Sequence, residues 1–467
     1  MKITKILKFF LLCLSLLAIL AITFPDKGVT VAGKGLRFAT LHKVLTGHHG
    51  EKTTEVVAPK MDAEELRNIE DSIEYYRMLL ASETSHLWLP KSDYGYFDRF
   101  FAAATEAVEK GTMVRVLHYG DSQIEMDRMS CCLRDTLQRL IGGGGIGMVP
   151  LNQTVNSMSF VQKYEGAAAC VSTWGGKQQT VTKGSYGPML RSWHVDGKAT
   201  ATLRCVTSKS ASQRVKRFSN VKVLYNNHGR KLSVVVSRLD EGTSSRKEAS
   251  REGVGMLEWT MDSATAVRME ISGDADIFGI LVDDGNGVAV DNIAMRGSSG
   301  TKFTAVDSVE LANCYKMINV GMVVLQFGGN AVPGLNGERT VDMYCDKIKR
   351  QIEYLKRVSP KVTILFVGPS DMSTKVGGEY SSYPWLRLLD EKLRTTVLSQ
   401  GVAYWSMFDA MGGDGSMVDW VAAGKAGKDY VHFTPKGAAI MGGELGRIMG
   451  ICYRHHLLMS HKNEIKR

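Results

Sequence analysis

The sequence predicts an α/β protein in which a parallel sheet, covered by helices on both faces, is interrupted by an inserted all-β module. Two observations carry this. From residue 113, and again from about residue 304, short continuously apolar runs alternate with amphipathic stretches of helical spacing, as expected of strands buried on both sides. Between them, over 151–295, the period shortens to two and β-branched residues alternate with Gly, Asn, Asp and Ser clusters, the signature of short antiparallel strands.

At the N-terminus, Lys2, Lys5 and Lys8 precede the apolar run FFLLCLSLLAILAITF at 9–24, which ends at Pro25. The run has no polar face, so it is no core helix. It is shorter than the ~20 residues of a membrane span, and no A-x-A site follows it. Residues 1–27 are therefore a secretory signal or a short membrane anchor, and either predicts export.

Residues 61–150 hold a helical lead-in (61–110), a strand at 113–120 (MVRVLHYG) and a helix over roughly 124–140. The module at 151–295 contains ATATLRCV, VKVLYN, KLSVVVSRL, AVRMEISG and IFGILVDD, enough chain for a core of its own. Residues 296–467 return to the first pattern. There helix AVDSVELANCYKMI, strand 321–327, helix VDMYCDKIKRQIEYLK, strand 361–368, helix WLRLLDEKLRTTVL, strand 402–408 and a helix from Pro435 follow one another.

Composition narrows the function classes. With 467 residues, 44% of them apolar and 23% charged, the chain is neither disordered nor a multi-span membrane protein. The formal charge of +10 is spread without a basic block. Together with export, this points away from nucleic acid and toward an anionic cell-envelope polymer. Beyond Cys13, the cysteines at 131, 132, 170, 205, 314, 345 and 452 are odd in number and contain no Cys-x-x-Cys. Isolated thiols are expected, with Cys170–Cys205 the one pairing left open.

In a parallel sheet, chemistry collects where strands end. Strand 113–120 ends at Gly120-Asp121-Ser122, which places the Ser122 hydroxyl at the mouth of the sheet. Taken alone, Asp121 or Ser122 reads better as a helix cap. A second junction, Asp429-Tyr430-Val431-His432, sets an acid three residues before a loop histidine, just ahead of Thr434 as N-cap and Pro435 as first helical residue. The carboxylate can orient one ring nitrogen while the other faces a serine. A third, Gly328-Gly329-Asn330, ends strand 321–327 in a side-chain amide able to donate to an oxyanion, although Gly-Asn pairs also make turns.

GDSQ at 120–123, Gly-Gly-Asn at 328–330 and DYVH at 429–432, in that order, resemble the nucleophile, asparagine and Asp-x-x-His blocks of the SGNH (GDSL-type) hydrolases. The resemblance covers 113–140 and 297–450. It implies a flavodoxin-like three-layer α/β/α domain that removes acyl groups from esters. Ser122 would be the nucleophile, His432 the base and Asp429 its partner. The oxyanion hole would be built from the Ser122 N–H, Asn330 and a glycine backbone N–H, with no metal and no cofactor. Two stretches compete for the glycine, 142–147 and 291–300; the second fits, with Gly297 first and Gly300 second. A β module between nucleophile and glycine blocks is similar to that of the cell-wall O-acetylesterases.

GGGGIG at 142–147 also spells G-x-G-x-x-G, but it follows a helix and opens no βαβ unit, so it reads as a flexible loop near the catalytic mouth. No G-x-S-x-G and no His-Glu-x-x-His occurs, against an α/β-hydrolase elbow and a zinc hydrolase. The function expected is an exported serine esterase acting on O-acetylated cell-wall glycan. The alternatives are another acetylated polysaccharide such as xylan, acetyl transfer, or glycan binding without catalysis. Trp174, Trp193, Trp385 and Trp420 are candidates for stacking on sugar rings and equally for core packing.

Overall fold

A computed structural model describes residues 15, 22–23, 29–31, 34–36, 63–175, 185–209 and 211–466. The signal or anchor expected over 1–27 lies outside the described residues except for Ser15, Ile22 and Thr23. Among the described residues no helix is long and apolar enough to cross a membrane. Two compact units are present. In Met1–Ala63, strands Val29–Val31 and Lys34–Leu36 pair antiparallel. The second unit is Glu64–Arg467 and holds the remaining described elements.

The centre of this larger unit is a sheet of five parallel strands, β1 (Met113–Gly120), β2 (Gly287–Ala294), β3 (Val320–Gln326), β4 (Thr363–Val367) and β5 (Ala403–Trp405), in the order β2-β1-β3-β4-β5. Leu87–Trp88 adds an antiparallel edge to β5. All eight residues of β1 are buried, as expected of a strand covered on both faces, and the two polar ones, Arg115 and His118, have buried partners. Helices Ser308–Met317, Glu338–Val358 and Leu386–Ser399 pack one face through residues such as Leu311, Ile348 and Leu393. Helices Asp98–Glu109, Ser130–Leu140 and Pro435–Ile465 pack the other through Phe101, Leu137 and Leu445. This is the flavodoxin-like α/β/α arrangement with an added β module. In that strand order the switch point, where ligands bind, falls between the carboxyl ends of β1 and β3.

The module is a nine-stranded antiparallel sheet organised on the long strand Ala266–Asp283. Its first half pairs with Leu232–Arg238 and Arg191–Cys205, and its second half with Phe218–Asn227 and Gly145–Val149. Its apolar side chains, such as Val223, Ile271 and Phe278, join one continuous core with Leu117, Tyr119 and Val323 of the parallel sheet. The separate core expected from its length is thus absent. Chain length alone cannot show whether two layers share an interface.

Three local readings also change. Residues 287–294, placed by sequence at the end of the module, form β2, parallel to β1 from Met113↔Gly287 to Gly120↔Ala294. A run buried on both faces looks the same in either sheet. The stretch 142–147 is no flexible loop at the catalytic mouth. Gly145–Val149 is a buried strand, and Gly142 and Gly143 lie against β2 at the opposite, N-terminal end of the sheet. A Cβ on Gly143, whose φ is +114°, would come within 2.4 Å of the Val288 carbonyl oxygen, so backbone contact explains that glycine. Finally, the helix expected over 124–140 begins only at Ser130. A buried Arg134–Asp127 ion pair at 2.6 Å and positive φ at Met126 and Asp127 hold residues 125–127 off the helical path.

One buried ionic cluster joins the module to the sheet. Arg115 of β1 donates through Nη1 to Asp283 at 2.7 Å, at the end of the module's longest strand, and through Nε to Asp291 of β2 at 2.9 Å. The cysteines among the described residues are all free thiols, Cys170 and Cys205 included.

Candidate active site

β1 delivers Ser122 to the switch point through a tight turn. The Asp121 carboxylate accepts from the Gln123 N–H at 2.9 Å, and the Ser122 carbonyl accepts from the Glu125 N–H at 3.3 Å. The short 3-10 turn Glu125–Asp127 has Ile124 at its N-cap and helix Ser130–Leu140 has Met129, so neither Asp121 nor Ser122 occupies a cap position. The acid–histidine loop is equally fixed by its own short-range bonds. Asp429 Oδ1 accepts from the N–H groups of Val431 and His432, both at 3.1 Å. Tyr430 between them takes φ +58°. Thr434 then caps helix Pro435–Ile465 by accepting from the Gly437 N–H.

These two loops bring together residues 310 positions apart. Ser122 Oγ lies 2.8 Å from His432 Nε2, and His432 Nδ1 lies 2.8 Å from Asp429 Oδ2. Burial opposes the Asp429 charge, but hydrogen bonds from the His432 ring and from the His432 and Val431 backbone outweigh it and hold the carboxyl below its usual value. It is therefore an anion able to orient the ring and to stabilise an imidazolium. The nearby His118 plays a different part. Burial pushes it down to about 4, and it is satisfied inside the sheet by Gln326 and Ser130, which leaves a neutral structural ring.

Two residues that sequence reasoning passed over tie the loops together. Gln123 donates to the Val431 carbonyl at 2.6 Å and accepts from the Phe433 N–H at 3.3 Å, bracketing His432 from both sides. Arg128 donates to the Phe433 carbonyl at 2.9 Å and also to the Ser122 carbonyl. Gln123 is visible in the motif as the residue after the serine; Arg128 carries no local signal, because its acceptors lie on a loop from the far end of the chain.

A cavity of about 400 Å³ opens over the pair, lined among others by Ser122, His432, Gly297, Asn330, Arg296 and Tyr383. Asn330 is exposed and donates to the Ser298 carbonyl at 3.2 Å. The two candidate glycines differ in surroundings. A Cβ on Gly300 would meet the Phe327 ring at 2.5 Å, so packing accounts for it, whereas Gly297 faces open space at the cavity. A larger groove of about 790 Å³ runs past Trp88 and Arg394 but holds none of these groups; chemistry, not volume, marks the smaller one. None of Trp174, Trp193, Trp385 and Trp420 lines the cavity over Ser122 and His432. Trp193 and Trp420 are buried, and Trp174 and Trp385 pack half-buried against the core.

Asp121, buried beneath the serine, is pushed up to about 6 by desolvation, with the Gln123 N–H, the His432 charge and the Asn330 amide as partial offsets. The folded state therefore holds this proton more tightly than the unfolded chain, in which the group titrates near 4. Stability is unaffected by this group below about pH 4, falls between about pH 4 and 6 as it ionises, and bears a cost of about 3 kcal/mol above. Asp121→Asn is expected to raise the thermal midpoint at pH 8 and to lose that advantage as pH falls toward 4. A shift of equal size at both pH values would remove the ionised carboxylate as its source.

No family model and no curated protein matches the sequence. Among solved structures, a peptidoglycan O-acetylesterase matches with a TM-score of 0.60 at 19% identity, covering 79% of this chain and 99% of that one. A family two carbohydrate esterase from Cellvibrio japonicus matches at TM-score 0.26 and 10% identity, over 63% of this chain and 99% of that one. An acetyl xylan esterase matches at 0.26 and 12%, over 34% and 79%. The strand order, the inserted β module and the match along the length of the first of these structures show that the chain has the fold of the SGNH (GDSL-type) hydrolases, resembling that cell-wall O-acetylesterase.

Proposed function

We propose that the chain is an exported serine esterase that removes O-acetyl groups from cell-wall glycan. The observation that carries the chemistry is the Asp429–His432–Ser122 relay, with both of its hydrogen bonds at 2.8 Å. In this reading His432 Nε2 takes the Ser122 proton as Oγ attacks the ester carbonyl carbon. The tetrahedral oxygen is met by the Ser122 and Gly297 N–H groups and by the Asn330 amide. The tetrahedral intermediate then collapses with the proton passing from His432 to the departing sugar oxygen, which leaves an acetyl group on Ser122. Water, deprotonated by His432, releases acetate and restores the hydroxyl.

Substrate class rests on broader features. The net charge of +10 and the apolar N-terminal run fit an exported protein working on a fixed anionic polymer. Arg296, 71% exposed and next to Gly297, stands at the cavity paired with Glu125 at 2.8 Å, where it can meet a substrate carboxylate. Acetate release from a panel of O-acetylated peptidoglycan and acetylated plant glycans tests the reading. Peptidoglycan should be the better substrate, and preferred release from xylan would shift the assignment to that polymer.

The oxyanion role of Asn330 has its own signature. A donor aimed at the tetrahedral oxygen acts in the transition state, so Asn330→Ala should lower kcat by about 10²–10³, equivalent to about 2.7–4 kcal/mol, with KM little changed. If the side chain serves only the turn, through its bond to Ser298, the thermal midpoint will fall while kcat stays near the wild-type value.

A further inference from the structure

The β module carries a side-chain cluster that the esterase chemistry does not use. His194 lies on strand Arg191–Cys205, Asp276 on Ala266–Asp283, and His228 directly follows Phe218–Asn227. Asp276 is the cross-strand partner of His194, and the His228 N–H donates to the Asp274 carbonyl at 3.2 Å. Three adjacent strands therefore hold the three side chains by backbone pairing.

The two imidazoles converge on one carboxylate. His194 Nδ1 is 3.0 Å from Asp276 Oδ1, and His228 Nε2 is 3.0 Å from Asp276 Oδ2. One ligand atom from each residue lies within 4.8 Å of the others, and among the described residues no other group of His, Cys, Asp and Glu does this. Ligands of a tetrahedral zinc, at about 2.0–2.1 Å from the metal, sit roughly 3.3 Å apart. The two histidine-to-carboxylate separations of 3.0 Å are close to that spacing.

The geometry points to a divalent transition-metal site, zinc by preference, with His194 Nδ1, His228 Nε2 and an Asp276 oxygen as three ligands and solvent as the fourth. Two imidazoles and one carboxylate suit zinc, copper or nickel; calcium and magnesium prefer all-oxygen sites. A further carboxylate is in place to orient a ligand. Asp274 Oδ1 lies 3.8 Å from His194 Nε2, the ring nitrogen left outside the cluster, where it can hold that N–H once Nδ1 binds metal. Both histidines are partly exposed, at 41% and 37% of the side chain, so the ion has access from solvent. On binding, the N–H···O bonds to Asp276 are exchanged for metal–ligand bonds, and protons leave the ligating nitrogens. The ion would pin three strands of the module together and take no part in ester cleavage.

The test uses untagged full-length protein, stripped with chelator and then given excess zinc or cobalt. One zinc per chain should survive gel filtration, and the thermal midpoint should rise by a few degrees. His194→Ala and His228→Ala should each weaken zinc binding at least about tenfold and abolish that rise, while esterase turnover stays at the wild-type level. Cobalt should show visible bands of a nitrogen–oxygen site. Failure of the wild type to retain zinc would overturn the proposal. So would unchanged affinity in both variants, or an intense near-ultraviolet thiolate band placing cobalt on the cysteines.

Discussion

Ser122→Ala is expected to lower kcat on aryl acetates by on the order of 10⁶, the scale seen when the nucleophile of a cooperating triad is removed. In the proposed mechanism the three groups act as a unit: without Oγ, His432 has no proton to take and the acetyl group has no acceptor. Stability should change by no more than about 0.5 kcal/mol. The hydroxyl is half-buried, and its hydrogen bond to His432 is one the imidazole can replace with water. A fluorophosphonate probe should label Ser122 in the wild type and nothing in the variant. Turnover close to wild type would dismiss the serine mechanism, and an adduct found on a different serine would relocate it.

The second large effect concerns folding. Arg115→Met should destabilise the protein by about 3–5 kcal/mol, because it leaves two carboxylates in a dry interior without their cation. Arg115, Asp283 and Asp291 are each no more than 1% exposed, so water cannot take the missing place. Adding Asp283→Asn and Asp291→Asn to the variant should recover much of the loss, since the unpaired charge, not the absence of attraction, is what costs stability. Urea unfolding of the three proteins decides the matter. A single variant as stable as wild type would show that the cluster is solvated or protonated in the native state.

Much of this molecule is legible in its sequence, for identifiable reasons. Strands buried on both faces announce themselves as unbroken apolar runs, and Asp429, three residues before His432, works through bonds local enough to be read from spacing. What escaped is set by distant partners. Gln123 and Arg128 act on carbonyl and N–H groups of Val431 and Phe433, about 300 residues away, and a sequence does not display its acceptors. Residues 287–294 were misplaced because a run such as VAV is equally at home in a module strand and in a parallel one; only the pairing with β1 decides. The late start of helix Ser130–Leu140 depends on Arg134 capturing Asp127, a tertiary contact that overrides helical periodicity.

The place of the module between β1 and β2 also dictates an order of assembly. β1 is a central strand, and pairing it with β2 brings together residues such as Arg115 and Asp291, 176 positions apart. Closing so long a loop carries an entropic penalty that shrinks once the intervening chain has become compact. Because the module's apolar side chains share one core with the face of the sheet, its collapse supplies surface on which β2 docks. A chain emerging from its N-terminus thus holds β1 unpaired on this edge, with Arg115 short of Asp283 and Asp291, until the module has formed. His432 and helix Pro435–Ile465 follow both sheets in the chain and so emerge after them. In the proposed mechanism hydrolytic competence therefore comes late in biosynthesis, since a fragment lacking the 429–434 loop has no base opposite Ser122.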